Sequence, residues 1–261
     1  YAQAGLAHFD EPDYIEDRGD LEFGVSQEFS DTLTGEIGVA LTYSFVTDLY
    51  LGKDASGNFP TREVVLLSLP TALIWDRRDS ILNPTDGFYI RADVEPFYEF
   101  DNSVCGGLVK MDARASHGFG EADRVVLAGR LQYGALFGPD AQDAPPGHLF
   151  YSGGGGTVRG QPYQALDADY GTESLGGRNF LGLSGELRVG VTDKASVVAF
   201  ADAGYVGPES VYDGSGRWHS GAGLGVRYDT PVGPIRFDVA GPTSGDTGDG
   251  VQIYIGIGQA F

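Results

Sequence analysis

Apolar and polar side chains alternate one for one along this chain, in runs longer than an ordinary strand. From Leu33 to Leu51 the odd positions include Leu33, Ile37, Val39, Leu41, Tyr43 and Phe45. The even positions include Thr34, Glu36, Gly38, Ala40, Thr42 and Ser44. The stretch Phe88–Phe100 repeats the pattern, with Phe88, Ile90, Val94 and Tyr98 set against Arg91, Asp93, Glu95 and Glu99. So does Leu181–Val191, with Leu183, Leu187 and Val189 against Ser184, Glu186 and Arg188. Successive side chains of a strand point to opposite faces, so each run has one greasy face and one wet face. The pattern and its turn signals mark about twelve strands. Their spans are approximately 1–9, 20–29, 33–51, 63–76, 87–100, 104–119, 123–138, 180–192, 195–206, 217–229, 232–241 and 251–261. Pro70 and Pro96 fall inside strands and predict bulges or irregular pairing, since proline has no N–H for the ladder. No helix and no domain linker is expected.

Two folds alternate in this way. A soluble sandwich hides its apolar faces between two sheets. A transmembrane barrel turns them to lipid. Three features favour the barrel. Many runs reach the ~9–11 residues that a tilted strand needs to cross a bilayer. Aromatics gather towards the ends of the apolar faces, at Tyr43, Phe45, Phe88, Tyr98, Phe100, Phe137 and Phe261, as an interfacial girdle would. The connections alternate between mostly short (30–32, 77–86, 120–122, 193–194, 230–231) and mostly long and acidic (10–19, 52–62, 139–179, 207–216, 242–250), with 101–103 as the short exception on the long-loop rim. The expected fold is therefore an all-β, antiparallel transmembrane barrel over 1–261, with residues 139–179 as a long loop folded inward. No apolar run is long enough for a membrane helix; the longest, Val64–Trp75, contains Pro70.

Composition narrows the function. A formal charge of −20 argues against nucleic acid, whose phosphates would be repelled. One cysteine allows no multi-thiolate metal site, and the four histidines show no ligand spacing. No metal and no cofactor is expected.

The stretch "SGGGGTVRGQPY", Ser152–Tyr163, sits inside the long loop. Gly155 and Gly160 have the spacing of a phosphate-binding loop, but Gln161 and Pro162 stand where that loop needs Lys and Ser or Thr. Nucleotide binding is thereby dropped. A connection of about forty residues calls for a function of its own. An arginine carried by such a loop into a barrel must meet carboxylates, because an unpaired, desolvated guanidinium is costly. The next two strands supply Glu186 and Asp202 on their wet faces, with Phe200 and Gly204 on the same side as Asp202. The planar fork of Arg159 can bridge both acids.

These motifs resemble the outer-membrane barrel-assembly superfamily of the bacterial surface antigen type. "TVRG" on a long loop, "SGEL" on the next strand and "FADAG" on the following one are similar to its inward loop and the strand that locks it. "DRRDSILNPTDGF" and "SGAGLGVRYDTPVGPIRFDVAGP" resemble its characteristic turn and penultimate hairpin, and "YIGIGQAF" its terminal strand signal. Within the superfamily the loop looks most like that of the translocation and assembly module, TamA. The chain departs from the pattern at Gln161, where the family has Tyr or Phe; Tyr163, two residues on, is the substitute considered for that gap.

The resemblance implies a barrel of about sixteen strands, of which this chain supplies a C-terminal part. It implies a loop carrying Val158, Arg159 and Gly160 that is locked by Glu186, Phe200, Asp202 and Gly204 of the next two strands and braces the wall opposite a weak lateral seam. That seam involves the last strand, with Ile253, Ile255, Gly256, Ile257, Gly258 and Phe261. The implied function is insertion or translocation of client outer-membrane proteins such as autotransporters, by strand templating in the bacterial outer membrane. The implied partners are those clients, outer-membrane lipid and an inner-membrane-anchored, periplasm-spanning protein. A two-partner secretion pore and a passive porin are the alternatives. An enzyme is not expected: Ser152, His148 and Asp143 are neighbours only in sequence.

Overall fold

A computed structural model describes residues 1–171 and 174–261. The chain forms one antiparallel sheet in which nearly every strand pairs with its sequence neighbour. The strands are β1 (Ala2–Asp10), β2 (Tyr14–Ser30), β3 (Leu33–Asp48), β4 (Thr61–Ser68), β5 (Thr71–Asp76), β6 (Gly87–Glu99), β7 (Val104–Phe119) and β8 (Val125–Phe137). After the long loop come β11 (Asn179–Gly190), β12 (Ala195–Gly207), β13 (Arg217–Tyr228), β14 (Ile235–Ser244) and β15 (Gln252–Ile257). Two short strands, β9 (Ala168–Asp169) and β10 (Ser174–Leu175), pair with each other inside that loop. Helical structure among the described residues is limited to two single 3-10 turns, Glu121–Asp123 and Ala141–Asp143.

Burial is inverted relative to a soluble sandwich. The alternate Leu, Ile, Val and Phe residues face outward: Phe23 is 63% exposed, Ile37 59%, Leu224 68% and Ile255 74%. The buried set includes Glu16, Ser44, Glu99, Glu186, Arg188, Asp202, Arg227 and Asp238. Such a surface is stable only if lipid covers it and the charges pair inside. Aromatics mark both ends of the outer face. Trp75 packs edge-on against Phe88 at 4.8 Å, and Tyr98 against Phe100 at 5.0 Å near the opposite rim.

Near the N-terminal half of the sheet, two strands depart from the sequence reading. The expected acidic loop 10–19 is a three-residue turn, and β2 already runs from Tyr14. Glu16, Arg18 and Asp20 are charged because they line the inner face, not because they leave the sheet. The expected strand 63–76 is split at Pro70, where β4 ends and β5 begins; β5 then bridges β3 and β6. Pro96 stays within β6, opposite Gly107, and its carbonyl accepts from the Leu69 N–H at 2.9 Å.

Candidate functional site on the inner wall

The connection between β8 and β11 lies on the inner face and has a core of its own. Phe150 bridges to Gly177 and Ser152 to Leu166 through paired backbone hydrogen bonds of 2.8–3.0 Å. Ala144, Leu149 and Phe150 pack on Leu66, Phe97, Leu108 and Leu136 of the wall. Leu166 and Ala168 pack on Phe180 and Val206. The described residues of the loop therefore form an ordered lining, although the sequence shows no periodicity there.

Its tip delivers Arg159 to β11, β12 and β14. Arg159 is 3% exposed. Its Nε and Nη2 donate to the two oxygens of Asp202 at 2.7 and 2.9 Å, and its backbone N–H donates to the same carboxylate at 3.0 Å. Nη1 donates to Glu186 at 2.5 Å. The guanidinium lies 3.7 Å from the centroid of the Phe200 ring, a cation–π contact. Val158 is fully buried. Gly204 makes room for the tip: a Cβ there would stand 2.2 Å from the Ser152 Oγ and 2.8 Å from Val158. Gly160 has φ +93°, and a Cβ on it would meet the Gly241 carbonyl at 2.5 Å. Only glycine takes that backbone angle freely while touching another backbone.

The sequence reading missed the rest of the charge cluster. Asp238 on β14 stands 3.6 Å from Nη1 of Arg159. Arg188 donates to Glu186 at 2.9 Å, Arg227 donates to Asp238, and Arg236 lies 3.7 Å from Asp238. Four guanidinium groups thus surround three carboxylates. Alternation could have found them. Arg188 shares the wet face with Glu186, and Arg236 and Asp238 are two apart in "IRFDVA".

Gln161 is itself the plug where the family pattern has an aromatic ring. It is fully buried; its Nε2 donates to the Ser220 and Ser244 carbonyls at 2.8 and 3.1 Å, and its Oε1 accepts from Thr247 at 2.9 Å. Tyr163 does not fill that gap. It is 64% exposed and donates to Glu11 in the β1–β2 turn at 3.1 Å. Gln161→Ala removes the donor from the Ser220 and Ser244 carbonyls, which lie at partly exposed positions, and is expected to cost about 1 kcal/mol, read as a lower urea midpoint in lipid.

Ser152 pairs with His219, not His148. The two are 2.8 Å apart and both are buried, so they pin the loop to β13.

On β15, Ile253, Ile255 and Ile257 point outward, while Tyr254 and Gly256 point inward. The Tyr254 hydroxyl accepts from the Gly160 N–H at 3.0 Å. The loop tip therefore rests on the wall that ends in the last strand, not on the wall opposite it. The expected strand 251–261 is shorter, because Gly258 turns the chain with φ +88°. Phe261 is consequently not a lipid-facing girdle residue. It is 7% exposed, with the Arg188 guanidinium 5.9 Å from its ring centroid.

Among solved structures, the chain is similar to BamA from Haemophilus ducreyi lacking POTRA domains 1–3, with a TM-score of 0.79 and 14% identity. That match covers 96% of this chain and 56% of that one. CdiB from Acinetobacter baumannii matches with a TM-score of 0.59 and 15% identity, over 88% of this chain and 39% of that one. At these identities the likeness is one of fold: an antiparallel membrane barrel. The sequence profile of the Omp85 superfamily domain matches residues 6–261. The chain is thus a β-barrel protein of the outer membrane, and it belongs to the Omp85 superfamily.

Proposed function

We propose that the protein inserts or translocates client β-barrel proteins at the outer membrane by lending them the edge of its last strand. The observation that carries this reading is the pairing of β15. It pairs with β14 over only six residues, contains Gly256 and ends at the Gly258 turn, while β11–β14 behind it are fastened by the Arg159 cluster. A strand that parts from a neighbour in lipid leaves backbone groups unmet at several kcal/mol each, so a weakly held strand favours pairing with an incoming one. Fastening β11–β14 confines any opening to that edge. No chemical step and no nucleotide enters this scheme; the client's own folding drives it.

Within this reading we assign the protein to the TamA type, with autotransporter-like clients and an inner-membrane-anchored partner. The support is the "GGGGTVRG" loop. A two-partner secretion pore or a porin needs a passage through the lumen. Against both stands the loop's lining of the inner face. It touches the β1–β2 turn through Tyr163, β4 through Arg62, β8 through Arg130, and β11–β15 through its tip.

The full-length protein in vesicles is expected to speed the folding of an urea-denatured outer-membrane client. A photocrosslinker at Ile255 should capture the client's terminal strand. Equal folding in protein-free vesicles would sink the reading. A covalent tie between the loop and β13 separates the alternatives, since assembly should survive it and secretion through the lumen should stop.

A further inference from the structure

The connection 77–86, between β5 and β6, is long for its rim and is tightly organised. Arg78 forks onto Asp76 at 2.9 and 2.7 Å. Asp79 accepts from the Thr85 N–H and hydroxyl at 3.0 and 2.8 Å. Burial works to raise the pKa of Asp79, but the bonds from Thr85 and neighbouring N–H groups hold it below the usual range. These contacts explain the residues of "DRRDSILNPTDGF" as the frame of a rigid turn.

The tip of this turn touches a distant part of the sheet. Six strands separate β6 from β15 in sheet order. Even so, the Leu82 carbonyl accepts from the Gln259 N–H at 2.9 Å, and the Asn83 Oδ1 accepts from Gln259 Nε2 at 2.8 Å. Gln259 Oε1 accepts from Arg227 at 2.9 Å. Arg188 donates to the Pro84 carbonyl at 3.1 Å and reaches the Phe261 carbonyl at 3.4 Å. Arg227 and Arg188 are the cations that also hold Asp238 and Glu186 beneath Arg159. A continuous chain of ion pairs and hydrogen bonds therefore runs from the loop tip to the end of the last strand. β15 has few ladder bonds of its own, and short edge elements open most readily.

We propose that the 77–86 turn is the docking site for residues 258–261 and acts as a latch on the last strand. While Gln259 is held by Asn83 and Leu82, β15 stays on β14. When it lets go, β15 is free to exchange partners. The latch rests on the strand-lending reading above and states how that edge is controlled. Arg188 and Arg227 serve both sites, and because they keep Glu186 and Asp238 when Gln259 lets go, the strand is released while the loop stays docked.

The test uses the full-length protein in lipid nanodiscs. Asn83→Ala with Gln259→Ala should raise amide exchange over 252–257 about tenfold while β11–β13 stay protected. Asn83→Cys with Gln259→Cys, in a Cys105→Ser background, should do the opposite when oxidised. Exchange over 252–257 and client folding should both slow at least tenfold, and reduction should restore them. Unchanged exchange in both variants overturns the latch. If exchange responds as expected but the unmodified protein accelerates no client, the latch stands and the assembly reading falls.

Discussion

Arg159→Ala is expected to destabilise the barrel by about 3–5 kcal/mol, the usual cost of breaking a buried ion pair from one side. The damage falls unequally. Glu186 keeps the Arg188 Nε at 2.9 Å and has Arg227 at 3.8 Å. Among the described residues, Asp202 receives its hydrogen bonds from Arg159 alone: the backbone N–H, Nε and Nη2. The orphan is therefore Asp202, and not both of the acids that the Arg159 fork bridges. Adding Asp202→Ala should recover a large part of the loss, because the uncompensated charge goes with it. A double-mutant cycle on urea midpoints, followed by Trp75 and Trp218 fluorescence in lipid vesicles, measures the coupling. A cycle that closes with no coupling would show that Asp202 finds water or another cation, and that the loop is not fastened by this pair.

Gly221→Ala should release the same loop without touching any charge. A Cβ at Gly221 would stand 2.0 Å from the Arg159 carbonyl oxygen and 3.3 Å from the Gly241 carbonyl. Both neighbours are backbone, so neither can rotate away. Overpacking of this kind costs about 1–3 kcal/mol where the site cannot relax. Here the cheaper escape is for the tip to lift. The expected signature is a large gain in proteolysis between 153 and 163 with the strand content unchanged by circular dichroism. If proteolysis stays at the native level, β13 has yielded and the loop is the stiffer partner.

The strands were legible because lipid enforces their period. Outward positions must be apolar and inward ones need not be, so Leu33–Phe45 and Leu181–Val191 read cleanly from residue order. The start of β2 was not legible, since Glu16, Arg18 and Asp20 have the composition of a loop. The burial of Glu16 depends on neighbours such as Ser44, which donates to it at 2.5 Å across the β2–β3 pair. At the site, Arg159, Glu186 and Asp202 could be read because a named motif flagged the first and alternation gave the other two. Asp238, Arg188 and Arg227 obey the same alternation, but which inward charges meet is set by strand register and barrel curvature. The role of Gln161 was hidden for another reason. A polar side chain replaced a ring by pairing with carbonyls, and carbonyls belong to every residue alike.

The loop tip touches both borders of the sheet within a few residues. Gly160 donates to Tyr254 on β15, and Tyr163 and Gln164 hold Glu11 in the turn that follows β1, at 3.1 and 2.9 Å. Four peptide links span at most roughly 14 Å. The loop is thus a tie rod of fixed length between β15 and the β1–β2 turn, and these two cannot spread much further apart until one of its two end fastenings gives way.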